Sequence, residues 1–365
     1  MPSPQLIFVG GFLGAGKTTL LAQAARRLAG QGKRVGLITN DQAAGLVDTR
    51  TLRATDVPVG EVAGGCFCCR FEELLGAMDE IVAEHAPDVL IGEPVGSCTD
   101  LTATVIRPAQ KLLGDRFRIA PFTVLVDPQR ALESLPAGAQ SPFPLNVVYI
   151  FRKQLEEADI IAVNKADQLP AGTLKNLTNL LARQFPHKAI ITMSATSGDG
   201  VDAWLDRLAQ GGSAGQNIAE MDYDIYAGGE AALGWLNAAV HLRATQTVDW
   251  RRFCEDLIGG IQAALRAEAA EIAHLKLRLT ADRSSIVANL TSTTGRPSLQ
   301  GAIPGNPQEA LLLVNARARV EPERLKTTVQ QCLAAAGGTG IRTTIDAMRC
   351  FAPSRPQPTH RLAAL

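Results

Sequence analysis

Apolar and helical patterns alternate along roughly the first 210 residues of the chain. Short runs rich in valine, isoleucine and leucine are separated by segments whose apolar residues recur at helical spacing. This order is typical of repeated βαβ units, whose parallel strands are apolar on both faces because helices cover them. The predicted strands are QLIFVGG, RVGLITND, VPVGEV, PDVLIGEP, PFTVLVD, DIIAVNKAD and KAIITMSA. We therefore predict an α/β domain with a mostly parallel, doubly wound sheet at residues 1–210.

The pattern changes after the glycine-rich stretch GGSAGQ, and we place a linker at residues 211–222. Beyond it, strands with alternating polarity are combined with two helical segments, DWRRFCEDLIGGIQAALRAEAAEI and PERLKTTVQQCLAAA. This order predicts a smaller α+β domain at residues 223–352, with its helices on one face of a mainly antiparallel sheet. The proline-rich remainder, residues 353–365, is expected to be a poorly ordered tail.

Composition narrows the class of protein. Basic and acidic side chains number 36 each, so the net charge of zero gives no support for a nucleic-acid partner. The sequence before the first strand has no signal-peptide pattern, and no apolar run approaches the roughly 18 residues of a transmembrane helix. We therefore expect a cytoplasmic protein that binds neither nucleic acid nor membrane. In a reducing cytoplasm, neighbouring cysteines more often bind metals or act in catalysis than form disulfides.

The segment GGFLGAGKTTLL contains the pattern Gly-x-x-x-x-Gly-Lys-Thr between an apolar strand and a helix. Its glycines let backbone N–H groups turn towards phosphate oxygens, and the helix N-terminus favours negative charge. Lys17 is predicted to reach the β- and γ-phosphates, and Thr18 to hold Mg²⁺. The predicted phosphate contacts come from Gly11, Gly14, Ala15, Gly16, Lys17, Thr18 and Thr19. The α/β domain is therefore predicted to be a P-loop NTPase.

The segment VNKAD indicates which base the nucleotide carries. Asp167 can accept two hydrogen bonds from the N1–H and exocyclic amine of guanine, whereas adenine offers no such pair of donors. Asn164 and Lys165 would support the loop and cover the ring. Ser194 and Ala195, after the next strand, would supply a backbone contact to the guanine oxygen. The sequence therefore favours GTP and GDP as ligands.

A magnesium ion needs oxygen ligands besides Thr18 and the phosphates. Glu93 ends a buried strand, where an unpaired charge would be costly, so we assign it to Mg²⁺. Asp41 and Asp48 follow the second strand, and for each a solvated loop charge competes with a contact to Mg²⁺ or to water. The predicted catalytic residues are Lys17, Thr18, Asp48 and Glu93.

The segment GGCFCC places Cys66, Cys68 and Cys69 within four positions. Thiolates favour Zn²⁺ and other soft or borderline ions, but burial as small apolar side chains and a catalytic cysteine stay open as alternatives. In an extended segment the first two point to one face and Cys69 to the other, so all three meet one ion only if the chain turns. Three thiolates are one ligand short of a closed zinc site. We hypothesise that Cys98 completes the site in one nucleotide state.

Together these motifs resemble the SIMIBI-class GTPases that include CobW, UreG, HypB and MeaB, and within them the CobW branch. The resemblance is carried by GGFLGAGKTTLL, Asn40 with Asp48, GGCFCC, Glu93 with Gly96, QLEEADIIAVNKAD and SA. It implies a GTP-dependent metallochaperone or cofactor-insertion factor with weak intrinsic hydrolysis. It also implies that Cys66, Cys68 and Cys69 bind a transition metal between the two switch regions.

The chain departs from the family pattern at three places. Gly64 stands where the family often has an asparagine, so we expect a looser cysteine loop. Asp41 replaces a longer glutamate, which weakens its assignment to Mg²⁺. After Glu93 the chain reads PVGSCTD, an atypical second switch that introduces Cys98.

We therefore predict a GTPase that couples its nucleotide state to the binding of a transition metal, zinc above all, and its delivery to a client metalloprotein. One alternative is a GTPase chaperone for a cobalamin or other metallocofactor enzyme. A second alternative is a P-loop kinase that acts on a small molecule. The sequence leaves open whether GTP promotes a homodimer.

Overall fold

The computed structural model describes residues 3–41, 52 and 57–363. Asp48 lies outside these residues, and Asp41 ends a strand but its side chain is not among those described. The chain forms two compact units. The first reaches to Tyr226 and takes in the segment from Pro356 onward, and the second is Ala227–Arg355. Within the described residues, none of the helices combines the length and the apolar character needed to cross a membrane.

Among the described residues of the first unit, eight parallel strands form one sheet, in the order β3-β2-β4-β1-β6-β7-β8, with β5 beside β1. The strands are β1 (Gln5–Gly11), β2 (Val35–Asp41), β3 (Val59–Ala63), β4 (Val89–Glu93), β5 (Arg118–Ile119), β6 (Thr123–Val126), β7 (Ile160–Val163) and β8 (Ala189–Thr192). The four central strands β4, β1, β6 and β7 are buried along their whole length. Their unbroken apolar sequences follow from this burial, which confirms the predicted α/β fold class.

Helices follow most of these strands. They are α1 (Lys17–Gly30), α2 (Phe71–His85), α3 (Arg107–Leu113), α4 (Pro128–Ser134), α5 (Leu145–Glu157), α6 (Ala171–Gln184), α7 (Val201–Ala209) and α8 (Tyr223–Ala231). A π-helical turn, Thr102–Ile106, leads directly into α3. The carboxyl ends of β1, β2, β4 and β7 lie at one edge of the sheet, and strand order reverses at β1, which is where open α/β sheets bind ligands.

The second unit contains a six-stranded antiparallel sheet in the order β12-β11-β10-β13-β9-β14. Its strands are β9 (Gly234–Ala244), β10 (Ile272–Ala281), β11 (Ser284–Leu290), β12 (Ser298–Ala302), β13 (Glu309–Ala318) and β14 (Ile341–Phe351). Helices α9 (Trp250–Ala267) and α10 (Pro322–Gly337) pack with the sheet around one apolar core. Helix α9 ends earlier than its sequence pattern predicts, because Ala269 adopts a left-handed conformation with φ of 52°.

The segment after Arg355 is predicted to be a poorly ordered tail, but in the structure it is bonded to the first unit. The backbone N–H of Thr359 donates to the carbonyl oxygen of Cys68 at 2.8 Å, and that of Leu362 donates to the carbonyl oxygen of Ala103 at 2.8 Å. Arg361 forms an ion pair with the buried Asp100 at 2.8 Å. The expectation rested on proline content alone, whereas these bonds to the first unit offset the entropy that ordering costs.

Candidate functional site

The phosphate loop joins β1 to α1. Gly11 and Gly16 have φ of 134° and 97°, which residues that carry a Cβ atom rarely adopt. A Cβ on Gly16 would lie 2.3 Å from the amide nitrogen of Asn164, so this position also lacks room. The ammonium group of Lys17 donates to the carbonyl oxygen of Gly11 at 2.8 Å. The loop thus has the strand, turn and helix that a phosphate cradle requires.

The predicted magnesium ligands Thr18 and Glu93 lie together. The hydroxyl group of Thr18 donates to a carboxylate oxygen of Glu93 at 3.0 Å, and both side chains are buried. Glu93 is the last residue of β4, and Thr18 is in the first turn of α1. A hydroxyl and a carboxylate oxygen beside a phosphate loop form the donor set that Mg²⁺ prefers. These two side chains therefore fit a magnesium ion.

The loop after Glu93 passes directly over the lysine of the phosphate loop. A Cβ on Gly96 would lie 3.1 Å from the Lys17 ammonium nitrogen and 2.9 Å from a methyl carbon of Leu13. The side-chain amide of Gln154, in α5, donates to the carbonyl oxygens of Gly96 at 3.0 Å and of Cys98 at 2.8 Å. This loop therefore contacts both the phosphate loop and α5.

Asn164 joins three segments of the predicted guanine site. Its amide donates to the carbonyl oxygen of Ala15 in the phosphate loop at 2.8 Å, and its side-chain oxygen accepts from the N–H of Ala195 at 2.8 Å. Ser194, next to Ala195, is buried, and its hydroxyl oxygen accepts the N–H of Ser197 at 3.2 Å. The structure therefore brings the three predicted nucleotide motifs together.

Lys165 and Asp167 take different roles in the next turn. Lys165 has a left-handed backbone, and its ammonium group lies 2.5 Å from a carboxylate oxygen of Asp127. Burial would raise the pKa of Asp127, but the ammonium group of Lys165 and the N–H of Arg130 hold it below the usual value. Asp167 is exposed on a single 3₁₀ turn, Ala166–Gln168, so its carboxylate can accept hydrogen bonds from a ligand.

The cysteine motif forms a tight turn rather than an extended strand. The backbone N–H groups of Cys69 and Arg70 donate to the carbonyl oxygen of Cys66 at 3.0 and 2.9 Å. Consequently the sulfur atoms of Cys66, Cys68 and Cys69 all lie within 4.8 Å of one another, with separations of 2.8, 3.2 and 3.8 Å. Sulfur atoms on one tetrahedral Zn²⁺ lie roughly 3.8 Å apart, since each bond is about 2.3 Å. A small spreading of the three thiols would therefore accommodate the ion.

Asn40, at the end of β2, supports this turn. Its amide donates to the carbonyl oxygens of Val62 at 3.0 Å and of Gly65 at 2.6 Å, and its side-chain oxygen accepts the N–H of Phe67 at 2.7 Å. Gly64 predicts a looser cysteine loop. In the structure, Asn40 on the neighbouring strand instead supplies an amide that holds this loop.

The thiols share their protons unequally. Hydrogen bonds from Cys68, Cys69 and Cys98 lower the pKa of Cys66 well below that of an ordinary thiol. The hydrogen bond with Cys66 raises the pKa of Cys68 well above the usual value and that of Cys69 to about 11. Of the three thiols, Cys66 therefore loses its proton most readily.

Sequence reasoning missed three supporting residues: the partly buried Asp127 and the buried Gln154 and Glu157. Asp127 follows strand β6, and charged residues at strand ends are a signal that could have found it. Gln154 and Glu157 lie in the quoted segment QLEEAD, where nothing in the spacing shows that they face the loop after Glu93. Glu157 accepts from the N–H of Thr102 at 2.9 Å, within that loop's continuation.

Comparisons with known proteins give relatives of this chain. A zinc chaperone CobW from Pseudomonas aeruginosa is 29% identical over 221 residues, which cover 52% of this chain and 56% of the relative. Hydrogenase maturation factor HypB from Escherichia coli K12 is 28% identical, over 53% of this chain and 59% of that protein. Zinc-regulated GTPase metalloprotein activator 1 from Dictyostelium discoideum is 26% identical, over 50% of this chain and 44% of that protein. The chain thus spans about half the length of the curated relatives it matches.

Among solved structures, Zn(II)-bound YjiA GTPase from E. coli aligns with a TM-score of 0.41 at 17% identity, covering 91% of this chain and 99% of that chain. The family described as CobW/HypB/UreG, nucleotide-binding domain, matches residues 5–192, which is the region of the parallel sheet and its site. The predicted family is thereby confirmed. This chain belongs to the CobW/HypB/UreG family.

Proposed function

We propose that this protein is a Mg²⁺-dependent GTPase whose nucleotide state controls the binding of a transition metal, zinc above all, and its delivery to a client metalloprotein. One observation carries the proposal. Three thiols form a cluster that Asn40 ties to the end of β2, one strand away from Glu93 and two strands away from the phosphate loop. A metal-binding group and a nucleotide site thus share one edge of one sheet.

For hydrolysis, the residues act by position and charge. The phosphate-loop N–H groups and Lys17 would orient the γ-phosphate and neutralise the charge that develops on it. Thr18 and Glu93 would hold Mg²⁺, which supplies further positive charge when bound. Asp48, predicted to contact Mg²⁺ or water, lies outside the described residues and stays a prediction. With so few groups to act on the attacking water, we expect slow intrinsic turnover.

For the metal, the thiols act as exchangeable ligands. Three thiolates leave one position open on a tetrahedral ion, through which a client ligand can enter. Cys69 is half-buried, whereas Cys66 and Cys68 are buried, so exchange would begin at Cys69. Each thiol must lose its proton on binding, so zinc uptake releases protons. Transfer is then a sequence of ligand exchanges at the exposed side of the cluster.

The relatives named zinc chaperone and GTPase metalloprotein activator favour this function over the two alternatives. We propose that the protein acts in the cytoplasm, and a homodimer that forms with GTP stays a proposal.

The test counts bound zinc and measures nucleotide turnover on the same samples. Wild-type protein should bind one zinc ion per chain and hydrolyse GTP but not ATP. A variant with serine at positions 66, 68 and 69 should lose the zinc and keep GTP binding. Cys332→Ser, in helix α10 of the second unit, is the matched control and should keep both. Unchanged zinc in the triple variant, or equal turnover of ATP, would contradict the proposed function.

A further inference from the structure

We propose that Cys98 is a fourth thiolate ligand of the metal site, and that residues 94–100, here called the Cys98 loop, engage it when GTP is bound. This inference rests on the proposed function and adds to it a complete ligand set and a physical connection between the two sites.

Cys98 lies against the cluster. Its side chain is 1% exposed and its thiol interacts with those of Cys66 and Cys68, while the sulfur atoms that lie within 4.8 Å of one another are those of Cys66, Cys68 and Cys69. Cys69 is contacted instead by the backbone N–H of Gln357, which donates to its sulfur at 3.2 Å. Cys98 therefore adds a thiol that approaches the two buried members of the cluster. A closed tetrahedral site needs four such ligands.

The Cys98 loop is placed to respond to the γ-phosphate. Its Gly96 packs against the phosphate-loop residues Lys17 and Leu13 so closely that a Cβ would come within 3.1 and 2.9 Å of them. Lys17 is the residue that contacts the terminal phosphates in phosphate loops of this pattern. Gain or loss of the γ-phosphate therefore acts on the backbone two residues before Cys98.

Two contacts hold the backbone from Val95 to Cys98 together in one turn. The N–H of Cys98 donates to the carbonyl oxygen of Val95 at 2.9 Å, which closes a turn around Gly96. The amide of Gln154 bridges the carbonyl oxygens of Gly96 and Cys98. A displacement at Gly96 is therefore passed to Cys98. With GTP the loop is held against the phosphate and its thiol completes the site, and after hydrolysis the fourth bond is lost.

The test uses Co²⁺ in place of zinc, because sulfur-to-cobalt charge-transfer absorption grows with the number of thiolate ligands. Wild-type protein with a non-hydrolysable GTP analogue should show four-thiolate absorption, and with GDP three-thiolate absorption. Cys98→Ser should show the three-thiolate spectrum with both nucleotides, and its zinc affinity with the GTP analogue should fall roughly ten- to hundred-fold. Cys332→Ser is the control and should match wild type. Gly96→Ala keeps the thiol but displaces the loop, so it should lose the nucleotide dependence.

The outcomes separate the inference from the proposed function. If Cys98→Ser keeps the wild-type spectrum and zinc affinity in both nucleotide states, Cys98 is not a ligand although the protein can still be a metallochaperone. If wild-type protein binds no Co²⁺, both proposals are overturned. Cys98→Ala, which removes the sulfur without adding a buried hydroxyl group, keeps the test valid if the serine variant is unstable.

A different observation carries a second inference, on residues 356–363, here called the strap. It hydrogen-bonds the cysteine turn at the sulfur of Cys69 and the carbonyl oxygen of Cys68. Its Arg361 pairs at 2.8 Å with Asp100, which is 1% exposed and also accepts the hydroxyl of Tyr223 at 2.7 Å. Asp100 is the last residue of the Cys98 loop and has a left-handed φ of 64°.

We infer that the strap shields the thiols and that the Arg361–Asp100 pair is its latch. A buried carboxylate needs a paired charge, so the latch holds the strap in place while Asp100 keeps this position. Movement of the Cys98 loop would carry Asp100 away from Arg361 and expose Cys69 to a client ligand. Release of the strap would thus expose the side of the metal site at which ligand exchange begins.

Arg361→Ala in the full chain tests the latch. The rate of zinc transfer to a chromophoric chelator should rise several-fold, as should alkylation of Cys69 in metal-free protein, read by mass spectrometry. Arg349→Ala, on exposed strand β14 of the second unit, is the matched control and should leave both rates unchanged. Equal rates in Arg361→Ala and wild type would overturn the shielding role.

Discussion

Asn40 accepts the backbone N–H of Phe67 at 2.7 Å, so the end of β2 holds the centre of the cysteine turn. The same side chain donates to the carbonyl oxygens of Val62 and Gly65. Asn40 is next to Asp41, which ends β2 and is a predicted magnesium ligand. The cysteine turn is therefore attached to the end of β2 by one amide.

Replacement of Asn40 by alanine should loosen the metal site. It leaves buried backbone donors and acceptors without their partner, at a cost of roughly 1–3 kcal/mol each. We expect a lower unfolding free energy and about ten-fold weaker zinc binding, measured by urea unfolding and chelator competition. Asn40→Asp keeps the acceptor for Phe67 and should bind zinc more tightly than Asn40→Ala. Wild-type zinc affinity in the alanine variant would contradict the supporting role.

Glu93→Gln should separate hydrolysis from binding. Its carboxylate accepts the hydroxyl of Thr18, and the pair is assigned to Mg²⁺. The amide keeps the size but removes the charge, so GTP turnover should fall roughly hundred-fold, while GTP affinity changes little. Single-turnover hydrolysis and nucleotide titration give the two values. Glu84→Gln, on the exposed face of α2, should be silent in both. Undiminished turnover in Glu93→Gln would rule out its assignment.

Asp167→Asn should change base preference. The carboxylate accepts two donors of guanine, whereas an amide offers one donor and one acceptor, which match the corresponding edge of xanthine. Hydrogen bonds to charged groups contribute about 1.5–3 kcal/mol, so GTP affinity should fall at least ten-fold and XTP affinity should rise. Asp206→Asn, exposed on α7, is the control. Equal GTP binding in the two variants would contradict the guanine assignment.

Glu157 makes stability depend on pH. Burial, together with the charge of Asp100, raises its pKa to about 8, despite hydrogen bonds from Thr102 and Thr99. The ordinary value is about 4.3, so the folded state holds one more proton between these two pH values. Its contribution to stability is therefore complete below pH of about 4 and is lost as the pH rises through about 8, by up to about 1.4 kcal/mol per pH unit.

Glu157→Gln carries no such proton. The difference in unfolding free energy between variant and wild type should shift in favour of the variant as the pH is raised from 5 to 9, measured by urea unfolding. Glu156→Gln, at the preceding and partly exposed position, should show a smaller shift. A difference that stays constant across this pH range would show that Glu157 is ionised in the fold.

Much of the nucleotide site can be predicted from the sequence, because each of its motifs is a short segment at the end of an apolar strand. The phosphate loop, Glu93 at the end of β4 and Asn164 after β7 each lie where an apolar strand stops, and parallel strands bring those ends together. The antiparallel second sheet was also predictable from alternating polarity. The short, largely exposed strand β12 was not, since its sequence SLQGA has no apolar alternation.

The cysteine site could be predicted only in part. Strand periodicity placed Cys69 on the opposite face from Cys66, and only the backbone hydrogen bonds of the turn reverse this. The approach of Cys98 and the docking of Arg361 on Asp100 depend on contacts across 30 to 261 positions, which spacing does not encode. The loop of Asp48 lies outside the described residues, so its predicted role is untested.

The most direct test of the account is the zinc affinity of wild-type protein in its two nucleotide states. It is measured by competition with a chromophoric chelator in the presence of Mg²⁺ and either a non-hydrolysable GTP analogue or GDP. The account predicts roughly ten-fold or greater preference for zinc in the GTP-analogue state, within the range of ordinary coupling between two sites. Equal zinc affinity in both states would contradict it.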